Sequence, residues 1–229
     1  MILRVEIRRV AALLDDAPSD LSWLSASEQA RLDRLHLPAR RSQYVAGHWL
    51  GRWVLARHLG RAAHDLNLKE RRGLPPAVIV GGGEPREPPH PQPTAAPFLS
   101  ITHSGAWVAV AVADFPVGID LEEYPRRHNL AAVEGLLLAY GEAPGSVDDN
   151  GLLQRWVAKE ARIKCDASEA LPERLRAIEL HAASWARSDV RLYRSAEFFF
   201  GIATSPDAVV ELQFDGIIEP LAAWRTLAQ

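Results

Sequence analysis

Along "ILRVEIRRV" apolar and polar residues alternate, and the period of two predicts a β-strand. The pattern then changes. From about Ser25 to His36 the period is helical, with Ser25 as N-cap and Glu28 three residues on, the signature of a capping box. A longer helix is predicted over "ARRSQYVAGHWLGRWVLARHLG", where Tyr44, Val45, Trp49, Trp53, Val54 and Leu55 recur at helical spacing and Gly60 ends it. "GGGEPREPPHPQPTAAP" (Gly81 to Pro97) holds six prolines and three glycines and is read as a long loop. Strands return in "FLSIT", "WVAVAVA" and "VGIDLE". Helices follow over about Leu130 to Tyr140 and Asp149 to Ala167. The tail offers four more strands in "AIELHAASW", "DVRLYRS", "EFFFGIATS" and "AVVELQF". This order predicts an α+β fold of two similar halves, residues 1–115 and 116–229, joined near Phe115–Pro116.

Composition adds limits. The 229 residues are 48% hydrophobic and 24% charged, which suits one large globular domain or two small ones. A lone cysteine, Cys165, excludes an intrachain disulfide and fits a reducing cytoplasm. The start of the chain is too charged for a signal peptide, and no run approaches the roughly 20 apolar residues of a membrane span. The net charge of −3 is unevenly spread: residues 1–80 hold 13 Lys and Arg against 8 Asp and Glu, the rest 13 against 21. A basic half suits phosphate groups or an acidic protein partner, or is simply an arginine-rich surface in water. No nucleic-acid reader motif is present.

Three stretches could carry chemistry. In "VGIDLEE" a strand would put Val117, Ile119 and Leu121 on one side and Gly118, Asp120 and Glu122 on the other. Asp120 and Glu122 would lie about 6.6 Å apart along one face. Two such carboxylates repel unless protonated, solvated or bridged by a cation such as Mg²⁺. Taken alone, D-x-E is first a strand running into solvent; Glu123, on the Leu121 side, is a bystander. In "RWVAKEARIKC", Trp156, Glu160 and Lys164 share a helical stripe, so Glu160 is either half of a surface ion pair with Lys164 or a carboxylate near apolar surface in need of a partner. In "FLSITHSGAWVAVAV", a turn bearing Thr102, His103 and Ser104 offers hydroxyls, an imidazole and backbone N–H groups to a phosphate. There is no G-x-S-x-G elbow and no P-loop, and one cysteine makes zinc a poor fit.

Together, "ITHSG", "GIDLE" and "WVAKEARIK" resemble, in order and spacing, the motifs of the 4′-phosphopantetheinyl transferase family of the Sfp-like, pseudo-dimeric type. "LPERLRAIEL" and the early "RLDRLHL…RRSQYVAGHWLGRWVLARHL" are similar to further parts of that family, so the likeness spans nearly the whole chain. The resemblance implies two halves related by a pseudo-twofold axis with the active site between them. It implies a monomeric, cytoplasmic enzyme that moves phosphopantetheine from coenzyme A to a serine of an apo carrier protein, which carries an acidic helix. Mg²⁺, or Mn²⁺, would be the cofactor. By motif, Asp120, Glu122 and Glu160 would hold the metal with the CoA pyrophosphate. Glu160 would take the serine proton and Lys164 would neutralise the pyrophosphate. Thr102 and His103 would contact CoA phosphates, Gly83, Glu84 and Pro85 would lie by the adenine, and Arg31 by the 3′-phosphate.

The sequence also departs from the family. Glu84 stands where a lysine is usual, and Glu28 and Gln43 align with positions that are often basic. Thr102 replaces Ser, and Ser100 stands where Asn is frequent. Arg40, Arg41 and Arg86 are candidate substitutes for the lost charge. The alternative is a catalytically weak paralogue that binds CoA or a carrier protein without turnover.

Overall fold

The computed structural model describes residues 1–79, 96–124, 130, 134–139, 147–167 and 172–228. Within them the chain is mixed α+β. Strand β1 (Ile2–Arg9) is followed by helices α1 (Val10–Asp16), α2 (Ala26–Leu32) and α3 (Pro38–Leu59), and by a hairpin of β2 (Asn67–Arg71) and β3 (Leu74–Ile79). Then come β4 (Phe98–Ser104), β5 (Trp107–Ala113) and β6 (Val117–Glu123), and helices α4 (Glu134–Leu137), α5 (Asp149–Cys165) and α6 (Pro172–Ala177). Strands β7 (Ile178–Ala182), β8 (Val190–Arg194), β9 (Phe198–Thr204), β10 (Val209–Phe214) and β11 (Glu219–Ala228) complete it.

Two sheets carry the architecture. The first has the order β10-β1-β5-β4, the second β6-β9-β8-β11-β7. All pairs in them are antiparallel except β1 with β10. β10 therefore crosses the Phe115–Pro116 division and completes the sheet begun by β1. One core is shared between the sheets: Leu3, Val5 and Ile7 meet Val117, Ile119, Leu121, Phe198 and Phe200. Strand alternation sends the other sides outward. Val108, Val110 and Val112 of β5 pack against Leu50, Val54 and Leu55 of α3. Phe199 and Ala203 of β9 pack into clusters with Val157, Ala158 and Ala161 of α5. Each sheet thus carries a long helix on its outer face.

The local signals explain the elements. Ser25 and Glu28 close the expected capping box on α2, which ends at Leu32 rather than near His36. Helix α3 starts at Pro38 and stops at Gly60, left-handed at φ 63°, whose N–H bonds the Ala56 carbonyl. Trp53 departs from the expected stripe. It is 48% exposed, because the buried line runs through Ala46, Leu50 and Val54, and Trp53 falls beside it. Of the expected helix over Leu130 to Tyr140, the described residues hold only α4. The proline-rich stretch lies outside them except for Ala96 and Pro97, as do Gly83, Glu84, Pro85 and Arg86. No described helix is long and apolar enough to cross a membrane.

One residue sets how closely helix and sheet can approach. A Cβ on Gly118 of β6 would stand 2.0 Å from the Ala161 carbonyl oxygen and 2.2 Å from the Cys165 nitrogen. Both are backbone atoms of α5 and cannot rotate away. Gly118→Ala is expected to cost about 3 kcal/mol by overpacking, read as a melting midpoint lowered by about 6–12 °C.

Candidate active site

β4 and β6 are edge strands of different sheets, yet they run side by side. Hydroxyls close the gap. Ser100 Oγ accepts from the Ile119 N–H at 3.1 Å, Thr102 Oγ1 from Leu121 at 3.3 Å, and Ser104 Oγ from Glu123 at 3.2 Å. The three alternate residues of β4 therefore satisfy three N–H groups of β6 that β9 does not reach. Two hydroxyls also donate. Thr102 gives its proton to Asp120 Oδ1 at 3.0 Å, and Ser104 gives its own to Glu122 Oε2 at 2.7 Å.

The expected face of β6 is realised. Val117, Ile119 and Leu121 enter the shared core, while Gly118 packs against α5. Asp120 and Glu122 share that side by alternation. Asp120 is buried, and Lys164 of α5 donates to its Oδ1 at 2.7 Å. Lys164 is thus partnered across the fold by Asp120, 44 residues away, rather than serving as a simple surface pair for Glu160. Asp120 Oδ2 is buried and has no hydrogen-bond partner among the described residues. Glu160 is half-buried on α5. Burial, then the Asp120 carboxylate, pushes its carboxyl up to about 7; Lys164 opposes the shift and Glu122 adds to it. Those four side chains therefore act on one another in one place. Glu123 stands apart from the set: its Oε1 accepts from the Ala106 N–H at 2.6 Å and braces the β4–β5 turn. At Gly105 in that turn φ is 52°, and a Cβ would stand 1.8 Å from a Glu123 oxygen.

The Thr102–His103 pair divides. Both lie inside β4 rather than in a turn, so they point to opposite faces. Thr102 is engaged by Asp120 and Leu121. His103 faces α3, with Arg40 Nη1 at 3.1 Å from its Nδ1. Burial, then the charges of Arg40 and Lys164, hold the imidazole down at about 4, so it is neutral at pH 7. Arg40 also donates to Gln43 Oε1 at 3.1 Å, and Gln43 Nε2 donates to the Gly105 carbonyl at 2.8 Å. Arg41 caps α2 through the Leu32 and Leu35 carbonyls. Arg31 is exposed on α2.

Glu28 does not face the site. It is fully buried, gripped through both oxygens by Arg52 at 2.6 and 2.8 Å and by His48 Nδ1 at 2.7 Å. Its negative charge is spent inside the fold, so it does not oppose a phosphate at the surface. Lys159, the lysine before Glu160, is also buried, and donates to the Leu137 carbonyl at 2.5 Å, tying α5 to α4. Lys159 has no role in the motifs, and the Ser104 hydroxyl, expected to meet a phosphate, is instead set on Glu122. Alternation along "SITHS" was the available signal for Ser104.

Among the described residues no group of three or more His, Cys, Asp or Glu side chains forms a ready metal cage. The donor set nevertheless fits a hard cation in kind. It offers a buried carboxylate oxygen without a partner and a second carboxyl raised by burial and then by the Asp120 charge. No protein-family model matches the chain, and no curated protein matches it.

Proposed function

We propose that the protein is a Mg²⁺-dependent 4′-phosphopantetheinyl transferase acting on a serine of an apo carrier protein. The observation that supports this most is the meeting of Asp120 and Glu122 from β6 with Glu160 and Lys164 from α5. Residues about forty apart in the chain share one electrostatic environment, in which Glu160 is raised to about 7.

In this reading Asp120, Glu122 and Glu160 hold the cation, which supplies charge neutralisation for the diphosphate of CoA. Lys164 leaves Asp120 to meet a pyrophosphate oxygen. The serine oxygen forms a bond to phosphorus as the bond to adenosine 3′,5′-bisphosphate breaks, and Glu160 takes the serine proton. Glu160 is raised to about 7 in the metal-free protein, and a bound cation would bring it down and favour the ionised form that accepts the proton. Arg40 and neutral His103, together on the α3 side, are placed to donate to a phosphate. The basic N-terminal half suits an acidic carrier protein. The two outer helices, each on its own sheet, support two similar halves.

The test is intact-mass spectrometry of several apo carrier proteins incubated with the protein, CoA and Mg²⁺. A phosphopantetheine mass gain is expected on at least one. No gain on any carrier, with CoA binding retained, would instead favour a binder without turnover.

A further inference from the structure

The three hydroxyls between β4 and β6 are not equivalent. Ser100, Thr102 and Ser104 each accept one backbone N–H of β6, at 3.1, 3.3 and 3.2 Å. A hydroxyl has one proton to give. With the acceptor side occupied by the strand, the proton is aimed elsewhere. For Thr102 it goes to Asp120 Oδ1 and for Ser104 to Glu122 Oε2. Ser100 lies opposite Gly118 in the same alternation and reaches no carboxylate among the described residues.

We infer that Thr102 and Ser104 are positioning residues that fix which oxygen of Asp120 and which of Glu122 is turned toward a divalent cation. The inference rests on the reading that these carboxylates hold one. The strand locks each hydroxyl rotor, and the rotor in turn locks the carboxylate plane. On Asp120, Oδ1 is taken by Thr102 and Lys164, which leaves Oδ2 as the buried oxygen without a partner. When Lys164 leaves, Thr102 remains to hold that orientation. Thr102 therefore acts through Asp120 rather than on a phosphate. Groups that orient metal-binding carboxylates commonly change metal affinity by about 10–100-fold when removed.

Ser100 supplies an internal control, since it makes the same strand contact without the carboxylate contact. The experiment measures free Mn²⁺ by electron paramagnetic resonance as the protein is titrated in the presence of saturating CoA. The native sequence is compared with Thr102→Val, Thr102→Ser, Ser104→Ala and Ser100→Ala, and the melting midpoint of each variant is recorded. Thr102→Val and Ser104→Ala are expected to weaken Mn²⁺ about tenfold. Thr102→Ser restores the donor and is expected to stay within about twofold of the native affinity. Ser100→Ala is expected to stay within the same range even where it melts earlier, because its hydroxyl serves only the strand. If Thr102→Val fails to fold, Ser104→Ala against Ser100→Ala carries the comparison.

Native affinity in both Thr102→Val and Ser104→Ala would overturn the inference and leave the transferase reading intact. Equal weakening by Ser100→Ala would overturn it too, since strand alignment alone would then explain the loss. Absence of Mn²⁺ binding by the native sequence would overturn the cation site and the inference together.

Discussion

Glu160→Gln is expected to lose carrier modification by about a hundredfold or more and, in the metal-free protein at pH 8, to become more stable. Both effects come from one carboxyl. Burial, then Asp120 and Glu122, raise it to about 7 against the partial relief of Lys164. Its ordinary value is 4.5. A raised carboxyl pKa means that the folded state binds the proton more tightly than the unfolded state. Glu160 therefore carries no ionisation penalty below about pH 4.5. The penalty grows as pH rises and is fully present above about 7, where it is on the order of 3–4 kcal/mol. Glutamine removes it. Urea unfolding in EDTA should place Glu160→Gln above the native sequence at pH 8 and close to it at pH 5, while the mass assay shows little transfer. Retained transfer would mean that Glu160 is not the base. Unchanged stability at pH 8 would mean that its carboxyl is not held up by its neighbours.

The second large effect is structural. Arg52→Met is expected to destabilise the N-terminal half by about 3–5 kcal/mol, because it strands Glu28 as a buried carboxylate. Arg52 and Glu28 are both fully buried, and the guanidinium also donates to the His48 and Leu66 carbonyls and lies 4.9 Å from the Trp23 ring centre. Burial alone would push the Glu28 carboxyl up, but bonds from His48 and Arg52 outweigh it and hold the group at about 2. The sign follows. A lowered carboxyl pKa gives stability that is present above about pH 4.5 and is lost as pH falls through 2. In Arg52→Met much of that contribution disappears, so the unfolding midpoint at pH 7 falls and the variant unfolds at a higher pH on acidification. The double variant Glu28→Gln/Arg52→Met should recover part of the loss, since no bare charge remains buried. Unfolding followed by tryptophan fluorescence, with Trp23 against Arg52 and Trp49 beside Trp23, reads both results.

Much of the secondary structure was legible because its signals are local. The alternation of β1, the capping box of α2 and the glycine stop of α3 each depend on residues within a few positions. The misses are elements whose signal is weak. β11 carries Pro220 and a register shift between Pro220 and Ala222, which breaks its alternation. The β2–β3 hairpin has two prolines in β3 and turns at Gly73, at φ 67°. Helix α1 follows β1 without a loop, so Val10 read as the end of the strand.

At the candidate site the linear order of residues already carries the side-chain types and their faces. Asp120 and Glu122 share one side of β6 because a strand alternates, and Glu160 and Lys164 share one stripe because a helix turns every 3.6 residues. It also placed a basic half before an acidic one. Which residues meet follows from how separate elements pack. Edge strands of two sheets are joined by side-chain hydroxyls, α5 is brought down on Gly118, and Lys164 is handed to Asp120 rather than to Glu160. The packing also turned Glu28 inward, onto Arg52 and His48. The reason is that periodicity fixes directions along one element. Pairing between elements depends on packing distance and on satisfying every buried N–H and charge, which no single segment carries.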